Sequence, residues 1–253
     1  MQALNLLRHA FRQFLGNWRQ AIAISLLPML LQGLALIMFL TLTQRAVTGD
    51  DHVWRVLGLV IAFIAVILLS SAVIAVNWHR FVLLDERPGP VPRLYGRALL
   101  GYVKTAVITF LLLIGMALPI AVTIGLSMAT IGDTTAILAS FMLKLLANIL
   151  IGAFTLRLST ALPGAAVGAA KPISRSWSAL RGTFGSLALI SLVFLVWQWL
   201  VTWLTGADFS HLIYGRNGFL VAMQAIAYWF ALMFGLSVLT TLWGHYVEGR
   251  PLR

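Results

Sequence analysis

The chain has 253 residues, of which 60% are hydrophobic and only 10% are charged. A water-soluble domain carries about 45–50% apolar and about 25% charged residues, so this composition excludes an ordinary soluble fold. The 18 Lys and Arg residues outnumber the 7 Asp and Glu residues and leave a net charge of +11. Such a charge suits nucleic acid, an acidic partner or anionic lipid, and composition alone does not choose among them.

Six stretches are long and apolar enough to cross a membrane, because about 20 apolar residues span a hydrocarbon core of about 30 Å. They are apolar on every face, unlike the alternating strands of a membrane barrel, so an all-α fold is predicted. We expect the first stretch to be retained, since it is longer than the core of a signal peptide. The predicted spans are Ile22 to Leu42, Val56 to Val76, Thr105 to Met128, Thr135 to Phe154, Ser186 to Leu204 and Phe219 to Trp243.

The basic residues divide unequally between the two sides of the membrane that these spans define. Fourteen lie on the side that holds both termini, three lie on the other side, and Lys144 lies within the fourth span. Positive charge accumulates in cytoplasmic loops, so we predict a multi-pass protein of a bacterial inner membrane with both termini in the cytoplasm. Four acidic residues fall on the sparsely basic side, namely Asp50, Asp51, Asp133 and Asp208.

The segments that enter the first, third and fifth spans resemble one another. Each is an amphipathic stretch that reaches a glycine, and these glycines, Gly16, Gly101 and Gly182, are spaced by 85 and 81 residues. We predict one membrane domain over residues 1–253 built from three units, residues 1–88, 89–163 and 164–253. Each unit would be a cytoplasmic interfacial amphipathic helix followed by a transmembrane hairpin. Chance similarity among apolar helices is the alternative.

The basic side chains of the interfacial segments are predicted to contact anionic lipid headgroups, which attract such residues near a membrane surface. A helix packed on the bundle without lipid contact is the alternative. The expected partners are membrane lipids, with a protein partner or a second copy as further possibilities, and nucleic acid is not expected. The predicted lipid contacts are Arg8, Arg12, Arg19, Arg93, Arg97, Lys104, Arg175 and Arg181.

Lys144 is the charged residue nearest the middle of a predicted span. A charge at that depth costs roughly 2.5–3.5 kcal/mol on insertion scales, which makes it a functional hypothesis by default. With polar residues of other spans it would line a cavity for an anionic group or a solute. Alternatively, Lys144 extends to the membrane surface or pairs with carbonyls near Pro119. The predicted intramembrane polar site is Lys144, Asn148, Gln198, Gln224 and Gln32.

Few residues of this chain have the arrangement that catalysis or metal binding requires. Cysteine is absent, and no histidine pair has the spacing of a zinc or di-iron site. The segment from Pro163 to Gly168 lacks the lysine and hydroxyl of a phosphate-binding loop. No metal, cofactor or catalytic residue is therefore expected. The exception weighed is a cluster of His79 and His245 with Glu86 and Glu248.

The third unit is introduced by Leu162-Pro163-Gly164 and by the run Ile173-Ser174-Arg175-Ser176-Trp177-Ser178-Ala179-Leu180-Arg181-Gly182. Together with the three helix-plus-hairpin units, it resembles the membrane domain attached to some bacterial glycerophosphoryl diester phosphodiesterases and their stand-alone inner-membrane relatives. In that family a separate soluble barrel performs the hydrolysis. The resemblance therefore implies a membrane location and no phosphodiesterase activity for any residue of this chain.

These observations favour a non-catalytic inner-membrane protein that interacts with lipid or acts as a scaffold. A transporter or permease subunit with a polar path near Lys144 is the alternative, and residues 88–102 would then be a coupling helix for an ATPase. An intramembrane enzyme ranks third.

The predicted orientation can be tested directly because the chain has no cysteine. A Gly49→Cys variant should react with a membrane-impermeant maleimide in intact spheroplasts. A Gly89→Cys variant should react only after the membrane is permeabilised, because its loop belongs to the basic side. The reverse labelling pattern would show the opposite orientation.

Overall fold

The computed structural model describes residues 2–46, 52–89, 91–130, 135–205 and 218–252. Within these ranges every regular element is helical, which confirms the all-α prediction. Four acidic residues are predicted to lie on the sparsely basic side. These residues, Asp50, Asp51, Asp133 and Asp208, lie outside the described residues. The elements are α1 (Gln2–Gly16), α2 (Trp18–Ala46), α3 (His52–Leu84), α4 (Gly96–Thr130), α5 (Thr135–Ser159), α6 (Ala161–Ala166), α7 (Pro172–Ala179), α8 (Phe184–Thr205), α9 (Gly218–Leu242) and a π-helical turn (Trp243–Val247).

Six helical segments are long and apolar enough to span a membrane, which confirms the predicted number of spans and makes the chain a multi-pass membrane protein. Each segment overlaps one predicted span, and several extend further toward the side that holds both termini. We call that side the basic end of the bundle. The segments are Trp18–Thr43, Val53–Leu84, Gly96–Thr123, Leu138–Ala166, Phe184–Leu204 and Ala222–Val247.

Helix α3 extends beyond the end of the apolar stretch from which its span was predicted. The apolar run ends at Val76, but the helix continues to Leu84 and ends before Asp85, whose φ is 55°. A residue in this left-handed conformation commonly terminates a helix, and Pro88 then prevents its resumption. The last two turns of α3 therefore carry polar side chains into the basic end.

The second unit lacks the separate interfacial helix that the sequence analysis predicted. Residues 85–89 and 91–95 contain no helix, and α4 then runs without interruption from Gly96 into its span. Pro88 and Pro92 explain the difference, since proline lacks the backbone donor of a helix interior and restricts the residue before it. Residues 88–102 accordingly do not form one coupling helix. Separate helices do precede the first and fifth spans, as α1 and α7.

The three repeat glycines occupy three different local structures. Gly16 ends α1, and Gly101 lies inside α4 facing the carbonyl of Ala165. Gly182 lies between α7 and α8 with φ of 78°, a conformation that favours glycine. Packing is also unequal among the predicted hairpins, because α8 packs more extensively on α5 than on α9. The threefold repeat remains a prediction from the sequence.

The tightly packed core lies toward the basic end. Its large buried side chains come from the start of α2 and α8 and from the end of α3 and α9. Phe14 of α1 packs edge-on against Trp229 and Phe230 of α9 and closes this core from the side. Toward the opposite end, large apolar side chains are exposed on every span, as expected where lipid is the solvent. Prominent buried residues are Ile24, Ile74, Trp78, Leu187, Ile190, Met233 and Leu242.

Helix α6 approaches the π-helical turn closely where Gly164 meets the ring of Trp243. Trp243 is buried, and its Nε1 donates a hydrogen bond of 2.7 Å to Oε1 of Glu248. A Cβ added at residue 164 would overlap the six-membered ring of Trp243. Glycine at this position therefore lets α6 approach the π-helical turn.

We predict that Gly164→Ala lowers the free energy of unfolding by about 1–3 kcal/mol, the range for overpacking a filled core. Thermal unfolding of the purified protein in detergent would measure the loss. Gly115→Ala in α4 is the matched control, since a Cβ there meets no atom within 4 Å. Equal stability of both variants would contradict the close packing of α6 on Trp243.

Candidate functional site

A groove of about 1140 Å³ opens at the basic end, between α4 and the segment that contains α6 and α7. Arg80 of α3 lies at its edge, and Leu158 of α5 contributes to its floor. One wall is a stripe of α4, formed by Arg97, Ala98, Gly101, Lys104, Thr105, Ile108, Leu112 and Met116. The facing wall consists of Ala165, Gly168, Ala169, Lys171, Pro172, Ile173, Ser174 and Trp177.

The α4 wall is cationic at one end and apolar at the other. Its residues recur every three or four positions, with adjacent pairs at 97–98 and 104–105, so they share one face of the helix. Arg97 and Lys104 lie toward the basic end, and Ile108, Leu112 and Met116 continue the stripe into the span. The rise from Lys104 to Met116 is about 18 Å, close to the half-thickness of about 15 Å of a hydrocarbon core. The groove therefore has the length and polarity of one lipid leaflet.

Three cations of the groove have no protein counter-ion. Arg97, Lys104 and Lys171 are exposed. No hydrogen bond or ion pair joins their charged groups to any residue that the structure describes. Their positive charge is therefore available to a ligand in the groove.

Arg80 differs from these cations because a carboxylate neutralises it. Its Nε donates to Oε2 of Glu86 at 3.0 Å, and its Nη2 donates to Oε1 of the same residue. Its Nη1 donates to the carbonyl of Ala166 at 3.1 Å, and its guanidinium lies 4.4 Å from the ring centre of Tyr95. Tyr95 completes the network by donating its hydroxyl to Glu86 at 2.7 Å. Arg80 thus joins α3, the loop after it and α6.

The loop between α3 and α4 is fixed by a second contact. The side-chain amide of Asn77 donates to the carbonyl of Arg93 at 3.0 Å and accepts from the Arg93 backbone N–H at 3.1 Å. Such a paired amide satisfies both backbone groups of one loop residue, as a strand partner would. The loop therefore reaches α4 in a defined position.

The opposite wall is held by Arg157 near the end of α5. Its Nη2 donates to the Trp177 carbonyl at 2.8 Å, and its guanidinium lies 3.8 Å from the Trp177 ring centre. Ser176 donates its hydroxyl to the Arg157 carbonyl at 2.8 Å. Lys171, immediately before α7, has φ of 47°, a conformation that costs a non-glycine residue about 1 kcal/mol or more. The structure thus holds Lys171 strained at the groove edge.

Two of the eight predicted lipid contacts, Arg97 and Lys104, line the groove. Arg93 is exposed while its backbone is bound by Asn77. The other five are exposed elsewhere at the basic end, and two of them lie over tryptophan rings at 5.5 Å, Arg19 over Trp18 and Arg175 over Trp243. Those five are Arg8, Arg12, Arg19, Arg175 and Arg181.

The predicted intramembrane polar residues lie apart from this groove. Lys144 and Asn148 are exposed on α5, and the Asn148 amide donates to the Lys144 carbonyl at 2.8 Å. Gln198 is exposed on α8, and Gln224 of α9 is half-buried. These placements leave Lys144, Asn148 and Gln198 on the surface of the bundle.

Gln32 has partners within its own hairpin. Its amide donates to the hydroxyls of Ser70 and Ser71 in α3, at 2.8 and 3.1 Å. A glutamine in an apolar span requires such partners, because an unpaired amide in hydrocarbon costs several kcal/mol. The pairing accounts for Gln32 as a contact between α2 and α3.

The two histidines and two glutamates that were considered as a catalytic or metal-binding cluster each bind a different partner. His79 is buried, and its Nδ1 lies 2.8 Å from Oγ1 of Thr240. His245 lies 3.0 Å from the Arg250 carbonyl, Glu86 binds Arg80, and Glu248 binds Arg250. Among the described residues, no group of three or more His, Asp or Glu is arranged to hold a metal ion.

Sequence reasoning did not select Lys171 or the apolar end of the groove. A local signal for the α4 stripe exists in the spacing of Arg97, Lys104, Ile108, Leu112 and Met116, which places a cationic end and an apolar end on one face. Lys171 carries no such signal, because its place opposite α4 depends on how α6 and α7 fold back.

No family model, curated protein or solved structure matches this chain. The resemblance to the membrane domain of glycerophosphoryl diester phosphodiesterases therefore stays a prediction. The groove and its charges are the features from which a function can be argued.

The Arg80–Glu86 network makes a pH-dependent contribution to stability. Hydrogen bonds from Arg80, and then from Tyr95, hold the pKa of the Glu86 carboxyl below its usual value despite partial burial. A lowered folded-state pKa stabilises the fold above the ordinary value of about 4.3, and this contribution is lost as the pH falls through the lowered pKa.

We predict that Glu86→Gln lowers the free energy of unfolding by about 1 kcal/mol at pH 7, the scale of a partly exposed pair with good geometry. The difference from the parent protein should begin to shrink below about pH 4.3, where the carboxyl of the unfolded chain becomes protonated, and should vanish as the pH falls through the lowered pKa of the folded protein. Thermal unfolding in detergent at pH 7, 5 and 3.5 measures it. A difference that stays constant over this interval would contradict the ion-pair account.

Proposed function

We propose that the protein is a non-catalytic membrane protein that binds an anionic lipid of the cytoplasmic leaflet in the groove between α4 and α7. The observation that carries the proposal is the pairing, in one groove, of unneutralised cations at the basic end with an apolar stripe that enters the span. An anionic lipid has the same sequence of properties, a charged headgroup followed by hydrocarbon. The cytoplasmic side follows from the predicted orientation.

Electrostatic attraction supports the binding of an anionic headgroup at the end of the groove that lies toward the basic end of the bundle. Arg97 and Lys104 approach from α4, and Lys171 approaches from the facing wall. A basic residue near an anionic membrane surface contributes about 1 kcal/mol of attraction. Guanidinium and ammonium groups also donate charge-assisted hydrogen bonds to phosphate oxygens. Thr105 and Ser174 line the same groove, and serine and threonine hydroxyls are neutral hydrogen-bond donors.

The apolar half of the groove supports an acyl chain. Ile108 and Leu112 are exposed on α4, and Met116 lies one further turn along the same stripe. A groove lined by such side chains excludes water from a chain that occupies it and fixes its direction along α4. Lipid bound there would be ordered beside the bundle, unlike lipid that only touches the convex helix surfaces.

The transporter alternative depends on a polar path at Lys144. That side chain is exposed on the surface of the bundle, so it does not line an enclosed path. A lipid-binding role needs no passage across the bundle. It also uses the charge asymmetry that the orientation prediction describes.

Removing the three groove cations tests the proposal. The triple variant Arg97→Gln, Lys104→Gln, Lys171→Gln should bind phosphatidylglycerol about a hundredfold more weakly, because each cation contributes about 1 kcal/mol. The measurement is native mass spectrometry of the delipidated protein titrated with the lipid in detergent. The control Arg8→Gln, Arg12→Gln, Arg19→Gln removes equal charge outside the groove and should weaken binding severalfold at most. Equal losses in both variants would contradict a specific groove.

A second pair of variants tests the acyl-chain half without changing charge. Leu112→Trp should fill the groove and weaken lipid binding, whereas Leu111→Trp places the same ring on the lipid-exposed face of α4. Unchanged binding in the Leu112 variant would place the lipid outside the groove.

A further inference from the structure

We infer that the lipid bound in this groove carries two or more negative charges on its headgroup. The inference rests on the proposed function and specifies its ligand class. Phosphomonoester lipids and lipids with two phosphates belong to this class, whereas a lipid with a single phosphodiester does not.

The charge balance of the groove is the first argument. Its lining contains four cations and no acidic residue. Of these four cations, Glu86 binds Arg80, with two hydrogen bonds from the guanidinium, so that pair is close to neutral. Arg97, Lys104 and Lys171 remain. A singly charged headgroup would leave two of these three charges unbalanced at the edge of a low-dielectric membrane, where like charges repel most strongly.

The placement of the three cations is the second argument. Arg97 and Lys104 are separated by seven residues, or about 10.5 Å of helix rise, and Lys171 lies on the opposite wall. One phosphodiester shares a single negative charge between two terminal oxygens, so it balances only one of three cations that lie on two walls and at two heights. A phosphomonoester has three terminal oxygens, and two phosphates offer two separate positions.

The space between the cations is the third argument. Gly101 separates Arg97 from Lys104 on the α4 face, and Ala165 belongs to the facing wall. Gly168 and Ala169 continue this small-residue floor. The groove, of about 1140 Å³, is therefore bordered by small residues beside the cations, which leaves room for a branched or double headgroup.

The experiment compares lipids with matched acyl chains on the delipidated protein by native mass spectrometry. Phosphatidylcholine, phosphatidylglycerol, phosphatidic acid and cardiolipin carry zero, one, up to two, and two net negative charges. Phosphatidic acid or cardiolipin should bind about fivefold or more tightly than phosphatidylglycerol, the factor expected for one added charge near a basic surface. A preference for either one supports the inference.

A pH series separates charge from headgroup shape. The second ionisation of a phosphomonoester has a pKa of about 6, so phosphatidic acid gains a charge between pH 5 and 8 while phosphatidylglycerol does not. The charged residues that line or border the groove are Arg80, Arg97, Lys104, Lys171 and Glu86, and histidine is not among them. The advantage of phosphatidic acid over phosphatidylglycerol should therefore grow as the pH rises.

The variant Lys171→Gln should reduce the preference for doubly charged lipid more than it reduces binding of phosphatidylglycerol, whereas Arg8→Gln should change neither. Equal affinity for all three anionic lipids would overturn this inference and leave the proposed function intact. Failure of every anionic lipid to bind more tightly than phosphatidylcholine would overturn both.

Discussion

The guanidinium of Arg80 is the contact on which the arrangement of the basic end depends. It binds Glu86 in the loop after α3, stacks on Tyr95 before α4, and donates to the last carbonyl of α6 at Ala166. These three elements either border the groove or position its walls. A single planar group with donors on two edges joins them in a way that the point charge of a lysine cannot.

The neutralised Arg80 and the unneutralised groove cations are complementary parts of one design. Glu86 is committed to the network, so it does not compete for Arg97, Lys104 or Lys171. A carboxylate placed between those cations would have stabilised the fold, but it would have weakened the binding of an anionic ligand. Glu86 and Glu248 instead bind Arg80 and Arg250, which lie outside that set of three cations.

The spans were predictable because lipid imposes a local rule, which requires only a long enough run of apolar residues. The last turns of α3 were not, since Asn77 and Arg80 end the apolar run while their partners at Arg93 and Ala166 keep the helix going. Pro88 and Pro92 indicate a non-helical loop before α4. The sequence prediction instead gave more weight to the repeated amphipathic segments. Half of the groove follows from spacing along α4. The other half depends on contacts such as Arg80 to Ala166, 86 residues apart, which no local pattern specifies.

The uneven distribution of the core has a mechanical consequence. Buried packing concentrates near the basic end, whereas the spans carry exposed apolar side chains toward the opposite end. A helical bundle adapts to bilayers of different thickness by changing the tilt of its helices. In this protein we expect such changes to fall on the loosely packed half, because buried side chains hold the other half together. The groove should then retain its dimensions across membranes of different thickness, while the far half of the bundle adjusts to the hydrophobic mismatch.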